Sequence, residues 1–318
     1  MRILVTGGAG FIGSHFCRTL LSKQMNFQVT VLDNLSYSGN LNNLSDQAEK
    51  INFVRGDIRD KDVVASLVRS NDYVVNFAAQ SHVDRSINDA SEFISTNIVG
   101  VHNILSSIVK YPGKRFLQIS TDEVYGSIAS GSWDEESPLL PNSPYSASKA
   151  SADLLVRSYY QTHKVDVLIT RCSNNYGPNQ FIEKFIPLSI TNLIQNKKIS
   201  IYGSGKNIRD WINVVDHCEG IYLALMKGKS GEIYNLGGEC ELNNLQVADI
   251  LLKHFGYSHE KIEYVNDRLG HDYRYSVSCK KARKELGFEP EVLFTKGIEQ
   301  TIEWYKNNQN WWEPSISR

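Results

Sequence analysis

A glycine spacing near the N-terminus constrains the fold more than any other feature. Ile3–Thr6 is a short apolar run that passes directly into Gly7-Gly8-Ala9-Gly10-Phe11-Ile12-Gly13, and a helical pattern follows. Glycines at Gly7, Gly10 and Gly13 let the backbone turn sharply and approach a pyrophosphate. The helix start then offers free N–H groups and the positive end of its dipole. The next apolar run, Val29–Asp33, ends in a carboxylate about 20 residues past the turn, the spacing at which an acid meets the adenosine ribose. Such a carboxylate repels a 2′-phosphate, so the residues point to NAD rather than NADP. The bland alternative, a tight turn with no ligand, does not account for Asp33. At Gly56-Asp57-Ile58, Asp57 either meets the adenine or caps a helix, and the residues alone leave both open.

Further apolar runs at Asn52–Arg55, Tyr73–Phe77, Phe116–Ser120 and Val167–Thr170 are continuous rather than alternating. That is the pattern of parallel strands covered by helices on both faces. The repeated strand–helix order predicts an α/β, doubly wound parallel sheet. Beyond residue 170 the chain becomes rich in Asn, Pro, Gly and basic residues, and Gly231–Gly238 reads as one more strand. The expected organisation is an NAD-binding domain over 1–172, to which the chain returns around 210–237. A smaller C-terminal lobe over 173–209 and 238–318 would hold the substrate.

Composition removes several classes of function. A net charge of −1 gives no overall attraction to nucleic acid or to an anionic membrane. No apolar stretch approaches the roughly 18 residues of a membrane span, and the N-terminal run is too short for a secretory signal. Five scattered cysteines form no C-x-x-C pair and suit a reducing cytoplasm. The eight histidines show no metal-ligand spacing, so no metal is expected.

Two segments carry chemistry. Ser143-Pro144-Tyr145-Ser146-Ala147-Ser148-Lys149 has a helix-capping serine, a proline suited to the first helical position, and Tyr145 and Lys149 on one face. A nearby ammonium and a positive nicotinamide ring are expected to lower the phenol pKa from about 10, so that Tyr145 can take a proton. In Ser120-Thr121-Asp122-Glu123-Val124-Tyr125-Gly126, an apolar strand ends in a hydroxyl and two adjacent carboxylates, at the strand end that lines the crevice in this architecture. Adjacent carboxylates must hold different protonation states, and the sequence does not show which one keeps the proton.

The segments GGAGFIG, STDEVYG, YSASK and CSNNYGP resemble the extended short-chain dehydrogenase/reductases, and among them the dTDP-glucose 4,6-dehydratases. The likeness runs through Ile208–Trp211 and Asp267–Tyr275 to the WWEP tail. The glycine turn and the Tyr–Lys pair mark only the superfamily, whereas Thr121-Asp122-Glu123 is far more specific. The resemblance implies an NAD-dependent lyase of deoxysugar biosynthesis that converts dTDP-glucose to its 4-keto-6-deoxy derivative and water. It assigns Tyr145 as base during oxidation at C4, Glu123 to the C5 proton and Asp122 as acid to the departing C6 oxygen. Thr121 would bond the 4-oxygen and Lys149 the ribose. Cofactor contacts are implied for Gly7, Gly10, Phe11, Ile12, Gly13, Asp33, Asn34, Leu35, Ser36, Asp57, Ile58, Ala78, Ala79, Thr96, Tyr145, Lys149 and Asn175. Substrate contacts are implied for Ser81, His82, Thr121, Asn174, Glu183, Lys184, Tyr202, Arg209, Asn244, Arg268 and His271.

The chain departs from the family at Gln80, where relatives usually carry Glu, and at Asn179 and Ile182, beside the implied substrate positions. Rival readings are a UDP-glucose 4,6-dehydratase, a 4-epimerase, a UDP-glucuronate decarboxylase, or a non-catalytic NAD-binding protein on the same fold. Asp122 separates the first reading from epimerases and decarboxylases, and the occupied chemical positions argue against a non-catalytic one. A homodimer is expected through the helix beginning at Tyr145, whose Ala150, Leu154, Leu155 and Tyr159 exceed one packing face.

Overall fold

A computed structural model describes residues 1–23 and 25–316. The chain runs β1 (Arg2–Thr6), α1 (Phe11–Ser22), β2 (Gln28–Asp33), β3 (Ile51–Arg55), α2 (Lys61–Ser70), β4 (Tyr73–Asn76), α3 (Val83–Asn88), α4 (Ser91–Ile94), α5 (Val101–Lys110), β5 (Arg115–Thr121), α6 (Pro144–His163) and β6 (Asp166–Cys172). It continues through β7 (Asn174–Tyr176), α7 (Phe185–Ile194), β8 (Ile199–Tyr202), β9 (Ile208–Asn213), α8 (Val214–Lys227), β10 (Ile233–Leu236), β11 (Glu241–Asn243), α9 (Asn244–Phe255), β12 (Ile262–Val265), α10 (Lys280–Leu286), α11 (Phe294–Asn307) and α12 (Gln309–Ile316).

Seven strands form one sheet in the order β10-β6-β5-β4-β1-β2-β3, and every neighbouring pair is parallel. The continuous apolar runs are explained by two cores, one on each face. Phe16 and Leu20 of α1 and Ile221 and Leu225 of α8 cover one side. Val68 of α2, Ile104 and Leu105 of α5, and Val156 of α6 cover the other. Strand order reverses between β1 and β4, which opens a crevice at the strand C-termini.

A third core belongs to the C-terminal part, where Ile186, Ile190, Trp211, Leu251, Ile302 and Trp312 pack together. Small sheets β11-β9-β7 and β12-β8 frame it. β10 pairs with β6 at one edge of the large sheet, and α8 packs on the α1 side of it. The chain also returns there for α10, because Cys279, Ala282, Leu286 and Phe288 join the α1–α8 core. The expectation that all of 238–318 lies in the second lobe is therefore corrected at α10, whose apolar side chains find their partners on the cofactor domain. Among the described residues, no helix is long and apolar enough to cross a membrane.

Candidate active site

One elongated cleft opens at the C-terminal ends of β1, β4, β5 and β6. Its lining includes Gly7, Gly10, Phe11, Ile12, Gly13, Asp33, Asn34, Ser36, Asp57, Ile58, Ala78, Ala79, Thr96 and Asn175 at one end. Thr121, Asp122, Glu123, Tyr145 and Lys149 lie along its floor, with Ser81, Asn174, Glu183 and Lys184 toward the other lobe.

The glycine turn has the shape that a phosphate cradle needs. Gly7 has φ +68°, and a Cβ there would lie 2.6 Å from the Ala78 amide nitrogen. α1 begins at Gly10 with no side-chain cap among the described residues, so its first N–H groups remain available. Asp33 is buried and accepts from the Ala9 N–H at 2.9 Å and the Leu35 N–H at 2.8 Å. It therefore braces the turn as well as facing the cleft, and a carboxylate has lone pairs left for ribose hydroxyls. Asp57 accepts from Asn34 Nδ2 at 2.8 Å and pairs with Arg59 at 2.8 Å, so it ties two walls of this end together. These residues fit a dinucleotide.

At the floor, β5 ends in a short turn, Asp122–Tyr125, capped by the Thr121 hydroxyl accepting from the Glu123 N–H at 3.3 Å. α6 opens with a capping box between Ser143 and Ser146 and with Pro144 in its first turn. Its second residue, Tyr145, thus stands at the cleft, with its backbone N–H bonded to Ser86 Oγ at 3.1 Å. Three buried polar atoms here, Ser120 Oγ, Asp122 Oδ2 and Asn174 Oδ1, have no hydrogen-bond partner among the described residues. Such atoms are rare in folded proteins, and their convergence on one cleft points to a polar ligand.

The two carboxylates sit in different fields. Burial, then the charges of Glu123 and Asp210, hold the Asp122 carboxyl well above the usual carboxylate range. Burial also raises Glu123, but Lys184, Arg209 and Arg268 oppose it. The surroundings therefore favour the proton on Asp122 more than on Glu123.

Lys149 donates from its ammonium to the Ile119 carbonyl at 2.6 Å. Without the nicotinamide charge that the sequence reading invokes, Tyr145 is pushed well above the ordinary phenol value by burial and next by the Glu123 charge. Lys149 is itself lowered by burial, since a buried ammonium with one neutral acceptor is poorly solvated.

Seven positions of the sequence reading lie off the cleft lining: Leu35, His82, Tyr202, Arg209, Asn244, Arg268 and His271. Leu35, at φ +56°, packs instead beneath the β2 end. Tyr202, Arg268 and His271 form a cluster on the second lobe. Arg268 Nε lies 2.6 Å from Asp84, Tyr202 Oη donates to Asp84 at 3.3 Å, and His271 Nδ1 lies 2.6 Å from Asp267. Arg209 is buried over the Tyr275 ring at 4.4 Å, with its guanidinium on the carbonyls of Ile208 and Asp272. Asn244 opens α9, where its N–H meets the Asn207 carbonyl at 3.3 Å. His82 lies 3.8 Å from Glu183.

The sequence reading missed Gln180, Phe181, Ser173 and Cys172 in the lining, and Tyr37, whose ring meets Phe181 edge-on at 5.6 Å. Tyr37 lies four residues past Asp33, and that spacing was the available signal. Of the departures, Gln80 is held by Asn97 through its backbone N–H at 2.8 Å and its carbonyl at 3.0 Å. Asn179 adopts φ +64°, a conformation that asparagine tolerates. Ile182 belongs to the second-lobe core.

Residues 4–301 match the family described as GDP-mannose 4,6 dehydratase. The chain belongs to that family. Within it, the chain is 51% identical to a dTDP-glucose 4,6-dehydratase of Streptomyces niveus over 320 residues, covering 99% of this chain and 95% of that one. Its structure is similar to that of DesIV, a dTDP-glucose 4,6-dehydratase of Streptomyces venezuelae with NAD bound. The TM-score is 0.97 at 50% identity, with 99% and 100% of the two chains covered. It is also similar to the dTDP-glucose 4,6-dehydratase of Bacillus anthracis in complex with NAD, with a TM-score of 0.93, 43% identity and 99% of each chain covered.

Proposed function

We propose that this protein is an NAD-dependent dTDP-glucose 4,6-dehydratase, releasing dTDP-4-keto-6-deoxyglucose and water. The observation that carries it is the adjacent pair Asp122–Glu123 in one cleft with Tyr145, both carboxyls raised by burial but only Glu123 opposed by Lys184, Arg209 and Arg268 together. Bound NAD would supply a reversible hydride acceptor. The glycine turn and the start of α1 hold its phosphates, Asp33 its adenosine ribose, and Thr96 and Asn175 line its path. Tyr145 receives the proton of the sugar 4-hydroxyl, which Thr121 orients. Its high proton affinity makes it a base only beside a positive charge, so its action is confined to the complex with oxidised cofactor. Glu123, whose carboxylate faces Lys184, Arg209 and Arg268, removes the proton at C5. Asp122 delivers its proton to the oxygen leaving C6. Glu183 and Lys184 on the facing lobe, with Arg209 and Arg268, bind the diphosphate and sugar. The site residues from Ser81 to His271 named earlier belong to this reading.

The test is incubation of the purified protein with dTDP-glucose, with and without added NAD, followed by mass analysis. A product lighter by one water is expected. Asp122→Asn and Glu123→Gln should each reduce kcat by about 10²–10⁴-fold with melting temperature retained. Reaction only with UDP- or GDP-sugars would overturn the substrate, and no reaction with any sugar nucleotide despite bound NAD would overturn the activity.

The same reading includes a cytoplasmic homodimer. Leu154 on α6 is 57% exposed, and Val99 just before α5 and Val109 within it are also exposed, apolar surface that a second copy would cover. Sedimentation should give twice the 36.0 kDa chain mass, and Leu154→Arg should shift it to the monomer. A wild type that sediments as a monomer at micromolar concentration overturns the dimer.

A further inference from the structure

Beneath the cleft floor lies a buried ion pair that the reaction above does not use. Arg171 of β6 and Asp153 of α6 meet at 2.9 Å, with side chains 3% and 1% exposed. Arg171 Nη1 donates to Tyr125 Oη at 2.8 Å, and its guanidinium lies 4.8 Å from that ring's centroid. Tyr125 Oη donates onward to Asn235 Oδ1 of β10 at 2.9 Å. Asn235 is fixed in turn by Glu135 and by the Trp133 carbonyl.

Each member adjoins a group that the reaction needs. Tyr125 ends the turn that begins with Asp122 and Glu123. Asp153 lies one helical turn beyond Lys149 and two beyond Tyr145, on the same face of α6. Arg171 precedes Cys172, the register partner of Thr121. One polar network thus joins the catalytic helix to the catalytic turn through the sheet. Stability alone does not call for it, because a buried ion pair replaced whole by apolar side chains is often neutral or better.

We propose that Arg171 and Asp153, with Tyr125, are positioning residues that hold the Tyr145–Lys149 helix and the Asp122–Glu123 turn in fixed mutual placement. This rests on the catalytic reading given above. Asp153 adds a charge effect. Its Oδ1 is buried and has no hydrogen-bond partner among the described residues, so part of its charge remains unspent. Lys149 is lowered by burial and raised by Asp153, with Cys172 of β6 the other group acting on it. Tyr145 faces it from the same helix.

The test compares wild type, Asp153→Asn, Arg171→Met and the double variant Asp153→Leu/Arg171→Met. Melting temperature, NAD affinity by calorimetry, and kcat and KM across pH are measured on each. The single variants should melt lower, because each strands a buried charge or its partner. The double variant should melt near wild type yet lose on the order of tenfold to a hundredfold in kcat, with KM within about twofold. In Asp153→Asn the alkaline limb of kcat should move to lower pH, since Lys149 loses its counter-charge. A double variant with wild-type kcat, or an unmoved alkaline limb in Asp153→Asn, overturns the proposal, and the second outcome decides even if the double variant does not fold. Wild type inactive on dTDP-glucose places the failure in the substrate reading instead. NAD affinity then decides: weaker binding in a well-folded double variant supports positioning, and unchanged binding overturns it.

Discussion

Asp122 and Glu123 share a turn, yet the charges around them differ: Asp122 meets Glu123 and Asp210 with Arg209 opposing, whereas Glu123 meets Lys184, Arg209 and Arg268 with Asp272 opposing. Their adjacency is written in the sequence. Their difference is not, because Arg209 and Asp210 arrive on β9, and Lys184, Arg268 and Asp272 from other parts of the chain. The same holds for Lys149: its spacing from Tyr145 was legible, but its hydrogen bond to the Ile119 carbonyl depends on how α6 lies on β5. Gly7 is a position where the sequence reading and the geometry agree. Its φ of +68° and the approach of Ala78 leave no room for a side chain. Gly7→Ala should cost on the order of 1–3 kcal/mol in backbone strain alone and weaken NAD binding more than it lowers stability. Urea denaturation and NAD titration check this. A variant with wild-type midpoint and affinity would show that the turn does not hold the phosphates.

At the scale of elements, α6 was readable from its first residues. Ser143, Pro144 and Ser146 form the cap that places Tyr145 at the cleft. Ser143→Ala should lower stability by about 1 kcal/mol and reduce kcat through fraying of the first turn, although Ser143 is not in the cleft lining. Equal kcat at the lowered stability would show that the turn is held by Ser86 instead. Other elements were not readable. β8 and β12 are only four residues each, and α7 carries a proline near its start and β-branched residues that blur its period. The parallel pairing of β8 with β12 joins residues about 60 positions apart, and nothing local specifies such a partner. α10 shows the same limit, since its short apolar stripe does not say which core it joins.

For the whole molecule, burial of ionisable groups at the junction of the lobes ties stability to pH. His217 of α8 bonds Asn175 Oδ1 at 2.9 Å, and burial lowers its pKa to about 3. In the unfolded chain it titrates near 6.5, so the unfolded state binds a proton that the folded state refuses. Its contribution is complete above about pH 6.5 and is lost toward pH 3, by about 1.4 kcal/mol per pH unit. Asp122 and Asp210, with raised folded pKa values, act in the opposite sense. The measurement is therefore the difference in unfolding free energy between wild type and His217→Gln across pH 4–7. That difference should shrink as pH falls. Parallel curves would mean that His217 is not held neutral by burial.

The sequence by itself determined the doubly wound sheet, the glycine turn with its acid, the capped helix carrying Tyr145 and Lys149, and the acidic pair at the end of β5. These are properties of contiguous residues, fixed by periodicity, glycine spacing and capping chemistry over short distances. Only the tertiary structure decided which charges surround each carboxylate, where the Lys149 ammonium goes, which core receives α10, and that Arg171 and Asp153 meet beneath the floor. Those depend on charges and side chains brought together from distant parts of the chain. Burial and Coulomb interaction act through space, and no local pattern encodes them.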